Sequence, residues 1–346
     1  MLSGLVQAFS DDIAVDLGTT RTLVYVPGSG VILEEPSVVA VETRDNERRV
    51  IAVGEAAKAM RGRTSARVEV VQPLKDGVIA DFVAAEEMLR QLIQRAKRRM
   101  RFRKPRVLVC VPASSTPVER RAIYASTLSA GARRAMLIEE PVAAALGAGL
   151  AIKEPKGSMV VDIGGGTTDI AILSYGDVLD SHSIRVAGNA MDDAIVKFIR
   201  RRHALAIGVG NAECIKIEVG SALVKTNGTR VDVRIRGRDM RRGLPTEIVL
   251  GPRDIAEALS GPVGDIAYAI QRSLEGMAPE LAADICERGI CLTGGGALLE
   301  KLDSEIARQI GVPVFVPAKP RMSVVDGCGM VLERLDEFAN FVIEAG

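Results

Sequence analysis

Residues 159–175, MVVDIGGGTTDIAILSY, constrain the chain more than any other stretch. An apolar, β-branched run ends in Asp162; three glycines, Thr167, Thr168 and Asp169 follow, and then a second apolar run. That order predicts two strands joined by a glycine turn. Gly164, Gly165 and Gly166 lack Cβ atoms, so their backbone N–H groups can close directly on an anion, with the Thr167 hydroxyl as a further donor. Phosphate suits such a turn. Asp162, at its mouth, suits Mg2+, which gives up water reluctantly and binds through one or two carboxylates plus substrate phosphates. Alone, the stretch also fits a plain hairpin with a permissive turn.

An echo near the start favours the phosphate reading. Residues 13–26, IAVDLGTTRTLVYV, repeat the plan of apolar strand, Asp16, Gly18, Thr19, Thr20, Arg21 and apolar strand. Two such hairpins, each entered by an aspartate and left by threonines, point to two halves holding one polyphosphate. A third run, Thr293, Gly294, Gly295 and Gly296, follows the short strand 289–292 and precedes a helical pattern over 297–310. Glycine there would let backbone lie flat against a base or ribose, with a helix N-terminus facing the ligand.

Further segments join these three: EEPSVVAV at 34–41, VGEAAKAMRGRT at 53–64, PLKDGVIADF at 73–82 and IEEPVAAALGAGL at 138–150. With DLGTT at 16–20, MVVDIGGGTTDIA at 159–171 and LTGGGALL at 292–299, the chain resembles the MreB family of bacterial actins over essentially its full length. That family lies within the superfamily of actin, Hsp70 and sugar-kinase ATPases. The resemblance implies an α/β, actin-like ATPase fold: two similar halves around a nucleotide cleft, each with a core lobe and a smaller inserted lobe. It places the first core lobe at 1–34, 67–148 and 326–346 and its small lobe at 35–66. The second core lobe falls at 149–183 and 252–325, with its small lobe at 184–251.

The resemblance also implies function. It makes the chain a slow, polymerisation-coupled ATPase using ATP and Mg2+, whose filaments organise cell shape and cell-wall synthesis at the inner face of the cytoplasmic membrane. Asp16 and Asp162 would hold Mg2+ through water. Gly18 to Arg21, Gly164 to Thr167 and Gly188 would line the phosphates, while Glu213, Cys214, Ile215, Lys216 and Thr293 to Gly296 hold the nucleoside. Glu140, at a strand-to-helix junction where an α/β sheet binds ligand, would orient the attacking water with help from Thr167. A carboxylate at a helix N-terminus is also favoured by the dipole alone. Expected partners are further copies of the chain, the membrane and membrane proteins of cell-wall elongation; no nucleic acid is expected. A metabolic kinase of the same fold, an Hsp70-like ATPase and a DNA-segregating filament remain as alternatives. Four residues depart from the family pattern: Arg21 where asparagine is usual, Asn189 where aspartate is usual, and Cys214 and Ile217 at usually basic positions.

Composition bounds these readings. At 346 residues, two domains are expected. A net charge of +1 gives no global attraction to nucleic acid, and with no Trp and 3% aromatics there are few platforms for stacking bases. Cys110, Cys214, Cys286, Cys291 and Cys328 form no C-x-x-C pair and read as small core residues in a reducing compartment, with no metal site. His182 and His203 are isolated, so neither suggests zinc or a triad. No apolar stretch is long enough to span a membrane, the start lacks the basic region of a signal peptide, and a cytoplasmic location is expected.

Two segments read as membrane contacts. Leu2, Leu5, Val6 and Phe9 fall at helical spacing near the start, which fits an interfacial anchor or a segment docked on its own domain. RAKRRMRFRKPR at 95–106 interleaves Met100 and Phe102 with basic residues. A solvated helix end and a nucleic-acid patch are alternatives there, but the apolar residues favour an anionic lipid surface.

Periodicity fills in the rest: a helix capped by Asp81, a capping box at Thr116 and Glu119, strands at 106–111, 135–138 and 183–186, and helices at 54–60, 191–202 and 212–224. Strands are expected at 230–236, 246–250 and 312–316 and helices at 252–275 and 326–344, with residues 44–49 a charged turn and 61–75 irregular.

Overall fold

Both glycine hairpins form in the computed structural model, which describes residues 12–45, 47–75, 77–97, 104–223 and 232–343. Leu2, Leu5, Val6, Phe9, Met100 and Phe102 lie outside the described residues.

The chain begins with strands β1 (Ile13–Leu17), β2 (Arg21–Val26), β3 (Gly30–Pro36), β4 (Val39–Arg44) and β5 (Glu47–Val53). Helix α1 (Glu55–Met60), strands β6 (Val68–Val71), β7 (Leu74–Lys75) and β8 (Val78–Ile79), helix α2 (Phe82–Lys97) and β9 (Arg106–Val111) follow. Then come α3 (Pro117–Ser129), β10 (Arg134–Glu139), α4 (Glu140–Gly147), β11 (Ser158–Ile163), β12 (Thr168–Ser174) and β13 (Asp177–Ile184). The next elements are α5 (Gly188–His203), β14 (Leu205–Ala206), α6 (Val209–Val219), β15 (Val233–Asp239), β16 (Pro245–Leu250), α7 (Pro252–Glu275) and α8 (Pro279–Arg288). The chain closes with β17 (Ile290–Thr293), α9 (Leu302–Ile310), β18 (Val314–Phe315) and α10 (Ser323–Glu333).

The sequence repeat becomes a repeat of topology. One five-stranded sheet has the order β10-β9-β1-β2-β3 and the other β13-β12-β11-β17-β18. In each, three consecutive strands carry the glycine hairpin, and two strands from later in the chain extend the sheet beside the first of them. β1 pairs with β9 and β9 with β10 in parallel, as β11 does with β17 and β17 with β18. Parallel strands covered on both faces read as unbroken apolar runs, and VLVCV in β9 and MVVDI in β11 are buried throughout.

The chain divides into two compact units, Met1–Pro155 with Ala171–Ser183 and Arg321–Gly346, and Lys156–Ile170 with Ile184–Pro320. In the first, α2 lays Met88, Leu89, Leu92, Ile93 and Ala96 into a core with Ile13, Val15, Val107 and Val109. Each large side chain so buried contributes about 1.5–3 kcal/mol, which fixes the face the helix presents. In the second, Val160, Val161, Ile163, Ile195, Ile266, Ile270 and Leu292 are fully buried. No helix among the described residues is long and apolar enough to cross a membrane.

Local signals held where backbone chemistry decides. The Asp81 carboxylate accepts from Ala84 N at 3.0 Å, ahead of the first turn of α2. Thr116 and Glu119 complete the capping box at α3, with Pro117 at the first helical position. Thr116→Ala should lower stability by about 1 kcal/mol, read as a shifted denaturant midpoint.

Several expectations are corrected. Residues 68–71, expected irregular, form β6 by pairing with β4, and 47–49, expected as turn, begin β5. Strand pairing supplies order that local composition does not. The strand expected at 183–186 ends at Ile184. The helix expected over 297–310 splits into a short 3-10 turn, Gly296–Leu298, and α9. The helix expected over 212–224 occupies 209–219 and stops at Gly220. The closing helix ends at Glu333, because the chain turns back and Ile343 pairs with Leu137 through N–H···O bonds of 2.8 and 3.0 Å. Cys214 and Cys286 are exposed rather than core, whereas Cys110, Cys291 and Cys328 are buried.

Candidate functional site

The first turn lies between β1 and β2. Asp16 lies in β1, which is buried along its whole length, and is 9% exposed. A Cβ on Gly18 would stand 2.7 Å from Arg21 O, so the turn closes only with glycine there. Ser37 braces it: Ser37 N donates to Thr20 O at 2.9 Å and Ser37 Oγ donates to Gly18 O at 2.5 Å. Carbonyls that would repel an anion are thereby satisfied by the protein. Thr19 is buried, and Thr20 Oγ1 is buried with no hydrogen-bond partner among the described residues. A buried hydroxyl without a partner calls for a ligand or water to complete it.

Arg21 does something else. Its guanidinium donates to Glu34 Oε1 at 3.0 Å, and Arg321 bonds the same oxygen. The cation is therefore held to β3 by a carboxylate.

Glu140 opens α4 and is 8% exposed. Its neighbour Glu139 accepts from Arg120 of α3 at 2.8 Å. Cys110 on β9 and Cys328 on α10 bring their sulfurs to 2.9 Å, and burial pushes the Cys110 thiol well up.

The second turn lies between β11 and β12, and its brace is a helix. Gly188 N donates to Gly164 O at 3.1 Å and Asn189 N to Gly165 O at 2.7 Å. These are orphan N–H groups of the first turn of α5, and α5 has no side-chain cap. The glycine turn itself caps the helix. Gly188 thus spends its N–H on the turn, and its small size leaves room for Gly164 O and Lys216 Nζ, which a Cβ would approach to 3.3 and 3.4 Å. Thr168 Oγ1 donates to Val186 O at 2.7 Å, fixing the exit of the turn, and Thr167 is buried beside it.

Asp162 is buried at the end of β11, directly opposite Thr293 of β17. Burial pushes its carboxyl up to about 7 and the Asp169 charge adds to that, while a 2.7 Å hydrogen bond from Thr293 Oγ1 acts the other way. A buried carboxylate so disfavoured as an anion is suited to a cation beside it. Among the described residues no group of three or more His, Cys, Asp or Glu could cage a metal. Hard oxygen donors, few in number and next to a glycine turn, fit Mg2+ bound through its waters.

The third glycine run packs for a reason the sequence does not disclose. Gly294 has φ +81°, and a Cβ on Gly294 or Gly296 would collide with Ile163 of β11. Its glycines let the loop close on the strand bearing Asp162, and the helix after it starts only at Leu302. On α6, Ile215 is buried in the core, Glu213 is partly exposed, and Cys214 and Ile217 face outward. Lys216 Nζ bonds Gly188 O and the Asp192 carboxylate, each at 2.8 Å. Ser37 and Asp192 were not singled out in the sequence; Ser37 falls within EEPSVVAV, whereas nothing local marks Asp192.

A sequence model of the family described as MreB/Mbl protein matches residues 10–340. The cell shape-determining protein MreB of Escherichia coli K12 is 48% identical over 332 residues, 95% of each chain. The crystal structure of MreB5 of Spiroplasma citri bound to ADP superposes with TM-score 0.88 at 37% identity, covering 95% of this chain and 98% of that one. The AMPPNP-bound form gives 0.86 at the same identity, covering 95% and 97%. A MamK double helical filament, with TM-score 0.75 at 23% identity over 94% and 99% of the two chains, shares the fold. The fold is thus α/β and actin-like, and the chain belongs to the MreB/Mbl family.

Proposed function

We propose that this chain is an actin-like cytoskeletal ATPase that binds ATP with Mg2+, hydrolyses it slowly and assembles with copies of itself to organise cell shape. The observation that carries this reading is the second glycine turn. Its carbonyls are engaged by α5, and it adjoins the buried Asp162, in a chain similar to MreB5 proteins crystallised with ADP and AMPPNP.

Gly18, Thr19 and Thr20 supply phosphate contacts from the first turn and Gly164 to Thr167 from the second. Glu213 and the loop from Thr293 to Gly296 serve the nucleoside. Asp16 and Asp162 would hold Mg2+ through its waters, and the ion would supply positive charge to neutralise the phosphates. Glu140, with Thr167, orients the attacking water. Phosphoryl transfer needs little from the protein beyond such positioning and charge stabilisation.

Glu140→Gln should slow ATP hydrolysis about 10²-fold or more while ATP affinity changes little, measured by single-turnover hydrolysis and equilibrium binding. Unchanged hydrolysis would remove Glu140 from this role.

The segments at 1–10 and 95–106 attach assemblies to the inner face of the cytoplasmic membrane, where repetition multiplies weak contacts. Pelleting with and without ATP and anionic liposomes tests the whole reading. Nucleotide-independent behaviour would sink it.

A further inference from the structure

Three elements of the second unit, each a candidate nucleotide contact, are joined in a closed ring of contacts. The second glycine turn caps α5 through Gly188 N to Gly164 O and Asn189 N to Gly165 O. The first turn of α5 is tied to α6 by Lys216, whose ammonium bonds Gly188 O and Asp192, four residues further along α5. Beyond the end of α6, Ser221 Oγ and Ala222 N donate to Glu300 O at 3.1 and 2.8 Å, just past the third glycine run. That run packs through Gly294 and Gly296 on Ile163, the residue before Gly164.

The other links are main-chain bonds, packing contacts and one serine hydroxyl; Lys216 supplies the ion pair. The lysine side chain is 16% exposed and the aspartate side chain 6%. Burial raises the Asp192 pKa and the Lys216 charge opposes that rise. A flexible lysine stem with three donors can serve a carbonyl and a carboxylate at once.

We propose that Lys216 is a positioning residue: it locks the first turn of α5 against Gly164 and Gly165, so that the seating of α6 sets the shape of the phosphate turn. Nucleoside bound along α6 and triphosphate bound at Gly164 to Thr167 are then coupled through this brace. A lysine that only touched the nucleoside would affect binding and leave the turn alone. The functional half of the inference rests on the nucleotide-binding reading above; the brace itself does not.

The test compares full-length wild type with Lys216→Arg, Lys216→Met and the double variant Lys216→Met with Asp192→Asn. The double variant removes both charges together and covers the case in which Lys216→Met, leaving Asp192 buried alone, fails to fold. Two readouts are taken: amide exchange in peptides spanning 159–175 and 184–196 without nucleotide, and single-turnover ATP hydrolysis with KM and kcat separated. Exchange in both peptides is expected to speed up about tenfold in the variants lacking the lysine. Their kcat should fall about tenfold or more with a smaller change in KM, and Lys216→Arg should recover most of both.

Unchanged exchange over 159–175 overturns the brace. A rise in KM with kcat and exchange intact overturns it as well, returning Lys216 to a nucleoside contact. A wild type that neither binds nor hydrolyses ATP defeats the proposed function instead, and the exchange comparison still decides the brace.

Discussion

Asp162→Ala is expected to abolish ATP-dependent assembly and to weaken Mg2+-dependent ATP binding by about 10²-fold. Burial is the cause. At 6% exposure the carboxyl is pushed up to about 7, so in the ligand-free protein it is a poorly stabilised anion. A cation and its waters beside the phosphate turn reverse that penalty, and binding is where the benefit is realised. Removal should leave the fold intact. Thr293 Oγ1 loses its acceptor, a cost of about 1–3 kcal/mol, but the buried charge it served disappears with it. Equilibrium binding of ATP with and without Mg2+, thermal melting and pelleting together separate loss of the site from loss of the fold. Normal filaments from a well-folded Asp162→Ala protein would be fatal to the mechanism.

Gly327→Ala is expected to be strongly destabilising. α4 and α10 meet backbone to backbone: a Cβ on Gly327 would run into Ala143 O, and one on Gly147 into Ser323 O. The obstacle is main chain inside two helices, so no side chain can rotate away. Overpacking of this kind costs about 3 kcal/mol, which in a domain of this size lowers the melting temperature by roughly 6 °C or more. The damage should extend to catalysis, because α4 carries Glu140 at its first position and α10 can only be accommodated by moving it. Gly264 provides the contrast. It lies inside α7 with nothing within 4 Å of a Cβ, so Gly264→Ala should raise stability by about 0.5–1 kcal/mol. Equal melting of Gly327→Ala and wild type would show that the helices are not in contact as described.

The features legible in advance were those governed by neighbours in the chain. Hairpins with glycine turns, the Asp81 cap, the Thr116 capping box and the buried face of α2 each depend on residues within a few positions. What was misread depends on distant partners. Val68 to Val71 is too short and too interrupted by Glu69 to announce a strand, and becomes one only beside β4. α8 was not anticipated, although Pro279 at its start and Leu281, Ala282 and Ile285 at helical spacing mark it. Arg21, which the family resemblance places at the phosphates, pairs with Glu34 on β3, a partner that Arg321 near the end of the chain shares and that local sequence does not announce.

From the residues alone came the repeated hairpin, the aspartates that enter each turn, the glycines that open it to an anion and the family resemblance that joins them. Folding decided what stands behind the turns. Ser37 reaches Gly18 across 19 positions and Lys216 reaches Gly188 across 28. No periodicity selects such partners, because a buried carbonyl accepts from whichever donor packing brings within about 3 Å. A turn is specified by its own backbone preferences, whereas its rigidity depends on donors that only the packed chain assembles.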